Sequence, residues 1–110
     1  MVYCADHSAL AVLEVRVHLD LPLDLLPDDY VLLRIALPEA PVEQVPERPK
    51  APRAVGDAWA SAGAAVVLSV PSFIVPAARN LLLNPRHPAA AAARVEEAIP
   101  YGLDPRLWSS

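Results

Sequence analysis

Thirteen prolines stand in this chain of 110 residues against only three glycines, and that imbalance sets the first limit on its fold. Proline has no backbone N–H to donate and holds φ near one value, so it is shut out of helix interiors and central strands. The chain must therefore be assembled from short elements, with turns made by Pro, Asp and Asn rather than by Gly. Five of the prolines (38, 41, 46, 49 and 52) fall among charged residues in the stretch 38–53. That stretch reads as an irregular surface excursion with one short extended piece at most, its charges forming a solvated face.

The stretch from Tyr3 to His18 contains no proline. Val2 to Cys4 reads as the end of a strand. Asp6 or Ser8 is then placed to cap a helix that runs to about Leu19 and is apolar almost all the way round. Inside that helix Glu14 is the only acid between Asp6 and Asp20. At roughly 100° per residue it falls between Leu10 and His18 and beside Val17. A bare carboxylate is costly among apolar groups, so Glu14 must be paired, protonated or kept for chemistry. The pattern alone favours the plain reading, a Glu that finds a buried partner or reaches water, over the chemical one.

Further along, Pro22 and Pro27 with Asp24, Asp28 and Asp29 mark a loop. Tyr30 to Leu37 alternates, with Val31, Leu33, Ile35 and Leu37 on one face and Arg34 on the other, which predicts a strand. Gly56-Asp57-Ala58-Trp59 begins a short helix or turn, and Ala64 to Val70 predicts a second strand. Pro71 and Pro76 bracket Ser72 to Val75 as a short extended piece, and Asn80 to Leu83 forms another strand. Ala89 to Glu97 has helix propensity, and Tyr101 to Trp108 is expected to close the sheet. Strands and helices do not alternate regularly. The expected class is therefore α+β with a mixed or mostly antiparallel sheet, in a single domain over residues 1–110.

Composition narrows the function classes. Hydrophobic residues make up 55% of the chain, enough for a core, and the net charge of −4 argues against an electrostatic nucleic-acid surface. Cys4 is the only cysteine, so no internal disulfide can form and a reducing compartment is expected. No basic segment precedes an apolar run at the N-terminus, and no apolar run approaches the roughly 20 residues of a membrane span. A cytoplasmic protein is the expectation.

Few single motifs suggest chemistry. Cys4 and His7 have a spacing suited to two metal ligands, but a structural zinc site needs four and there is no second cysteine. Ser72, His87 and Asp104 could be assembled into a hydrolase triad, but the Gly-x-Ser-x-Gly elbow is absent. Neither common Gly-rich phosphate loop is present. The run Asn80-Leu81-Leu82-Leu83-Asn84-Pro85-Arg86-His87-Pro88 crowds polar groups at a strand end, where they hold a turn more readily than a ligand. Trp59 and Trp108 read as core or interface aromatics.

In combination the motifs say more. Val2-Tyr3-Cys4 followed by Ala9 to His18 with Glu14, then Asp29-Tyr30-Val31-Leu32, Gly56-Asp57-Ala58-Trp59, Val70-Pro71-Ser72, the Asn80–Pro88 run and Leu103-Asp104-Pro105-Arg106-Leu107 resemble, in order, the RES domain. That family supplies the toxins of bacterial Xre–RES toxin–antitoxin systems. The resemblance implies an ADP-ribosyltransferase-like fold acting on NAD as substrate, without a metal. It implies cleavage of the nicotinamide–ribose bond, with phosphate, water or a protein side chain accepting the ADP-ribose, and an Xre-type antitoxin that binds the toxin and blocks its pocket. It matches Tyr3, Glu14 and Ser72 to active-site residues, with Tyr3 against the nicotinamide or its ribose and Glu14 near the scissile bond. Asn80, Asn84 and His87 match a polar motif that shapes the NAD site.

The family also has a segment ahead of the Tyr3 strand, with an Arg-x-Gly-Gly-Arg-Trp-Asn-like motif whose arginines are expected to grip the NAD phosphates. The sequence opens at the strand that follows. This departure implies the C-terminal portion of the family domain or, as the alternative, an inactive remnant that serves only to bind the antitoxin.

Overall fold

The computed structural model describes residues 2–19 and 21–108. Among the described residues six strands and two α-helices run in the order β1 (Val2–Ala5), α1 (Ser8–His18), β2 (Val31–Ala36), β3 (Val42–Gln44), α2 (Pro52–Ala62), β4 (Val67–Pro71), β5 (Arg79–Leu83) and β6 (Arg94–Pro100). Four of the strands form a mixed sheet in the order β1-β5-β4-β3, antiparallel except where β3 joins β4 in parallel. Strands β2 and β6 form a separate antiparallel ribbon. The α+β class with a mixed sheet is thus what the chain adopts.

Strand β4 is central because its residues are apolar on both faces, the pattern of a strand covered on both sides. Val67 and Leu83 pack on one face with Val66, under Leu37, Ala40, Ala89, Ala90 and Ala93. Leu68 and Leu82 pack on the other, under Trp59 and Ala65. The Trp59 indole N–H, which would otherwise be a buried orphan, donates to the Ala65 carbonyl at 2.9 Å. Arg79 staples the strands together. Its Nε donates to Ser69 Oγ at 2.7 Å, and its Nη2 donates to the carbonyls of Val45 at 2.6 Å and Ser69 at 3.0 Å.

Local chemistry decides the helix ends. Helix α1 is capped by His7 rather than by Asp6 or Ser8: the backbone of His7 is extended and its Nδ1 accepts the Ala9 N–H at 2.9 Å. Asp6 is taken up by the sheet, where its Oδ2 accepts the Arg79 N–H at 3.2 Å and continues the β1–β5 pairing. Helix α2 starts with Pro52 in its first turn, where a missing N–H costs nothing, and stops at Gly63, whose φ of 65° suits glycine. Gly56 to Trp59 is therefore helix interior and not a turn.

Three other expectations fail. Ala89 to Glu97 is not a helix: a 3-10 turn over Pro88–Ala92 gives way to β6. An isolated run of nine residues is too short to hold a helix, and the β-branched Val95 and Ile99 find partners in β2 instead. Ser72 to Val75 is a bend rather than an extended piece. Tyr101 to Trp108 adds no strand to the sheet; it ends in a 3-10 turn, Pro105–Leu107, tied to α1. There Arg16 Nε donates to the Leu107 carbonyl at 2.7 Å and the guanidinium lies over the Trp108 ring, 5.2 Å from its centre.

The ribbon is the least covered part of the fold. Every residue of β6 is exposed, as are Val31 and Leu33 of β2. Replacing Leu68 by Ala should therefore cost about 2–5 kcal/mol in denaturant unfolding. Leu33→Ala should stay within about 0.5 kcal/mol, and equal losses at the two positions would contradict this division of the core.

Candidate active site

Directly paired residues share a face of a sheet. The register Tyr3↔Leu82 and Ala5↔Asn80, continued by Val70↔Asn80 and Leu68↔Leu82, puts Tyr3 and Asn80 on the face that also carries Leu68. Helix α1 lies over that face and brings Glu14 down onto it. Asn80 is 1% exposed, and its Nδ2 donates both to Glu14 Oε1 at 2.5 Å and to the Cys4 carbonyl at 3.1 Å. One buried amide therefore ties β5 to β1 and to α1. A hydrogen bond to a charged acceptor contributes about 1.5–3 kcal/mol, which offsets the burial of the polar group.

Among the described residues no lysine or arginine forms an ion pair with Glu14. Its charge is held by a neutral donor and is not cancelled. The charge is felt by Tyr3, whose phenol is pushed above its ordinary value of 10.0 by burial first and by Glu14 second. Tyr3 thus remains a neutral O–H donor through the physiological range. Burial likewise pushes the Cys4 thiol up, away from thiolate chemistry.

Two depressions flank this pair. A cavity of about 800 Å³ lies between the ribbon and the β1–α1 corner, lined in part by Tyr3, His7, Tyr30, Arg34, Tyr101 and Leu103. Its volume lies within the usual range for small-molecule sites. A shallower one of about 300 Å³ is lined by Glu14, Val15, His18, Leu19 and Tyr30. Val15 and Tyr30 border both, so the Glu14 side and the Tyr3 side adjoin there. Sequence reasoning placed Tyr30 only at the start of a strand. An aromatic directly after the acidic pair Asp28-Asp29 was the available signal.

The remaining expected site residues are elsewhere. Ser72 is 2% exposed, and its Oγ accepts the N–H groups of Ile74 at 3.0 Å and Val75 at 3.1 Å, so its hydroxyl holds the bend after β4. It lines neither depression. His87 Nδ1 accepts the Ala89 N–H at 3.0 Å and caps a 3-10 turn. Asn84 is buried, donating to the Ala60 carbonyl at 3.3 Å and accepting from the Arg86 N–H at 3.1 Å. For His87 the turn-making reading describes what the side chain does, whereas Asn84 holds its turn through Oδ1 and ties that turn to α2 through Nδ2. Asp104 caps its own turn, accepting from the Arg106 N–H at 2.9 Å, and the Arg106 side chain holds its carboxyl down at about 2. Among the described residues no group of three or more His, Cys, Asp or Glu is placed to hold a metal ion.

If Glu14 is the charge beside Tyr3, Glu14→Gln should lower the Tyr3 pKa while leaving part of its elevation, because burial remains. Titration of ring-labelled tyrosines by NMR reads this directly; an unmoved Tyr3 curve would contradict the geometry.

A profile of the RES domain matches residues 1–104. Toxin Res of Pseudomonas putida (strain KT2440) is 36% identical, over 87% of this chain and 72% of that protein. The Prs ADP-ribosylating toxin of Sphingobium sp. (strain YBL2) is 35% identical, over 97% of this chain and 74% of its own length. Toxin Res of Photorhabdus laumondii is 33% identical, over 96% and 74%. With a profile spanning nearly every residue and relatives aligned over most of their length, the chain belongs to the RES domain family.

Proposed function

We propose that this protein is the toxin of a bacterial toxin–antitoxin pair and that it consumes NAD by breaking the bond between nicotinamide and ribose. The observation that carries the reading is Glu14: a carboxylate fixed by a buried amide, unpaired with any cation among the described residues, beside a neutral phenol. Breaking the C1′–N bond sends its electron pair to nicotinamide, which leaves neutral, and positive charge develops on the ribose. A carboxylate that keeps its charge is suited to stabilise that cation or to hold the ribose hydroxyls. Tyr3 supplies an aromatic face and an O–H donor at the same place.

Family membership and the names of two relatives, toxin and ADP-ribosylating toxin, point the same way. The mixed sheet with α1 over its face is compatible with an ADP-ribosyltransferase-like fold, and the 800 Å³ cavity has room for the ligand. Phosphate, water or a protein side chain completes the reaction at the ribose carbon. The inhibitor is an Xre-type antitoxin, and the place of action is the cytoplasm, where NAD is consumed. No helix among the described residues is long and apolar enough to cross a membrane.

A second reading, a remnant that only binds the antitoxin, draws on the ribbon. Val31, Leu33, Val95 and Ile99 are exposed there, an apolar surface of the kind a protein partner covers. Expression in bacteria separates the two. The enzyme arrests growth and lowers the cellular NAD pool, and Glu14→Gln restores both; the remnant leaves growth and NAD untouched. An unchanged pool in cells that accumulate folded wild-type protein would overturn the enzymatic reading.

A further inference from the structure

We infer that Asn80 is a positioning residue, acting on the reaction through Glu14 and not by touching NAD. The inference rests on the NAD-cleaving reading and deepens it. Resemblance alone assigned Asn80 to the NAD site with Asn84 and His87, but the structure separates the three. His87 is spent on a local turn, and Asn84 on its own turn and on the Ala60 carbonyl of α2, whereas the Asn80 side chain ties β5 to β1 and to the Glu14 carboxylate. It lines neither depression and stands behind the carboxylate, shielded from solvent.

The geometry fixes the carboxylate from one side. The Cys4 carbonyl accepts one bond from Nδ2 and Glu14 Oε1 accepts another, so the orientation of the amide plane is set by strand β1 and passed to the acid. Among the described residues no protein donor meets Oε2, which leaves that oxygen for a ligand. The choice of a carboxamide also matters chemically. A lysine or arginine in this position would orient the acid but cancel the charge that a developing ribose cation needs. Leucine would pack as Leu82 does on the same face, but would leave Glu14 free to swing. Asn holds the acid without neutralising it, and an acid held in one place does not have to reorganise as the bond breaks.

Two measurements on the purified protein test this. In the first, the side-chain amide protons of Asn80 are followed by NMR while Glu14 is titrated. They should move with the protonation of the carboxylate and stop responding in Glu14→Gln. No response in the wild type would overturn the inference without any reference to turnover. In the second, Asn80→Asp, which keeps the shape but removes the donors, and Asn80→Ala are assayed for NAD cleavage, with the folded fraction measured alongside. Per folded molecule, kcat should fall by about 10- to 100-fold, with KM within about threefold of wild type.

A loss that merely tracks the folded fraction would mean that the contact is structural only, and would overturn the positioning role while the NAD reading stands. A wild type that shows the amide–carboxylate coupling but never cleaves NAD would overturn both the positioning role and the NAD reading, leaving only the contact.

Discussion

The hydrogen bond from the Asn80 amide to Glu14 is the interaction on which the rest of the site depends. A polar side chain in the middle of a strand, 1% exposed, is tolerated only if its donors are satisfied, and here the satisfying partners come from two other elements. The bond therefore has two consequences at once. It docks α1 onto the β1–β5 end of the sheet, and it gives Glu14 a single orientation beside Tyr3. Without it α1 would be held mainly by Leu10, its one buried residue, and by the Arg16 contact to the C-terminal turn.

The sheet behind that bond is arranged to keep Asn80 fixed. Strand β4 is buried on both faces between α2 and the Pro88–Ala92 turn, and β5 is locked to it by the Arg79 staple one residue before Asn80. The carboxylate thus rests on one of the most deeply buried parts of the sheet. The ribbon is far more exposed, and its ion pair Arg34–Glu97, 3.9 Å long and at the surface, is of a kind that contributes little. The cavity lies between the two, with Tyr3 and α1 on one side and the ribbon on the other.

Much of this was legible in the residues. The isolation of Glu14 in an apolar helix marked it as a group that had to be paired or used, and the structure shows a pairing that leaves it usable. The alternation of Tyr30 to Leu37 and the apolar run before Pro71 gave two strands close to where they lie. The failures have physical causes. Alanine propensity in Ala89–Ala93 lost to long-range pairing of Arg94–Pro100 with β2, a contact that no local window contains. Asp6 was a better cap than His7 by type, but the edge of the sheet claimed it first. Asn80, Asn84 and His87 looked like one motif because they are near in sequence. Burial and register gave them different tasks, and register depends on which strand lies alongside.

The most direct test of the central claim is to mix the purified protein with NAD and follow both by proton NMR in phosphate buffer. Free nicotinamide resonances should grow as those of NAD decline, one for one, and the same protein carrying Glu14→Gln should leave NAD intact. Nicotinamide release that continues undiminished in Glu14→Gln would contradict the central claim, as would NAD that stays whole in the presence of folded wild-type protein.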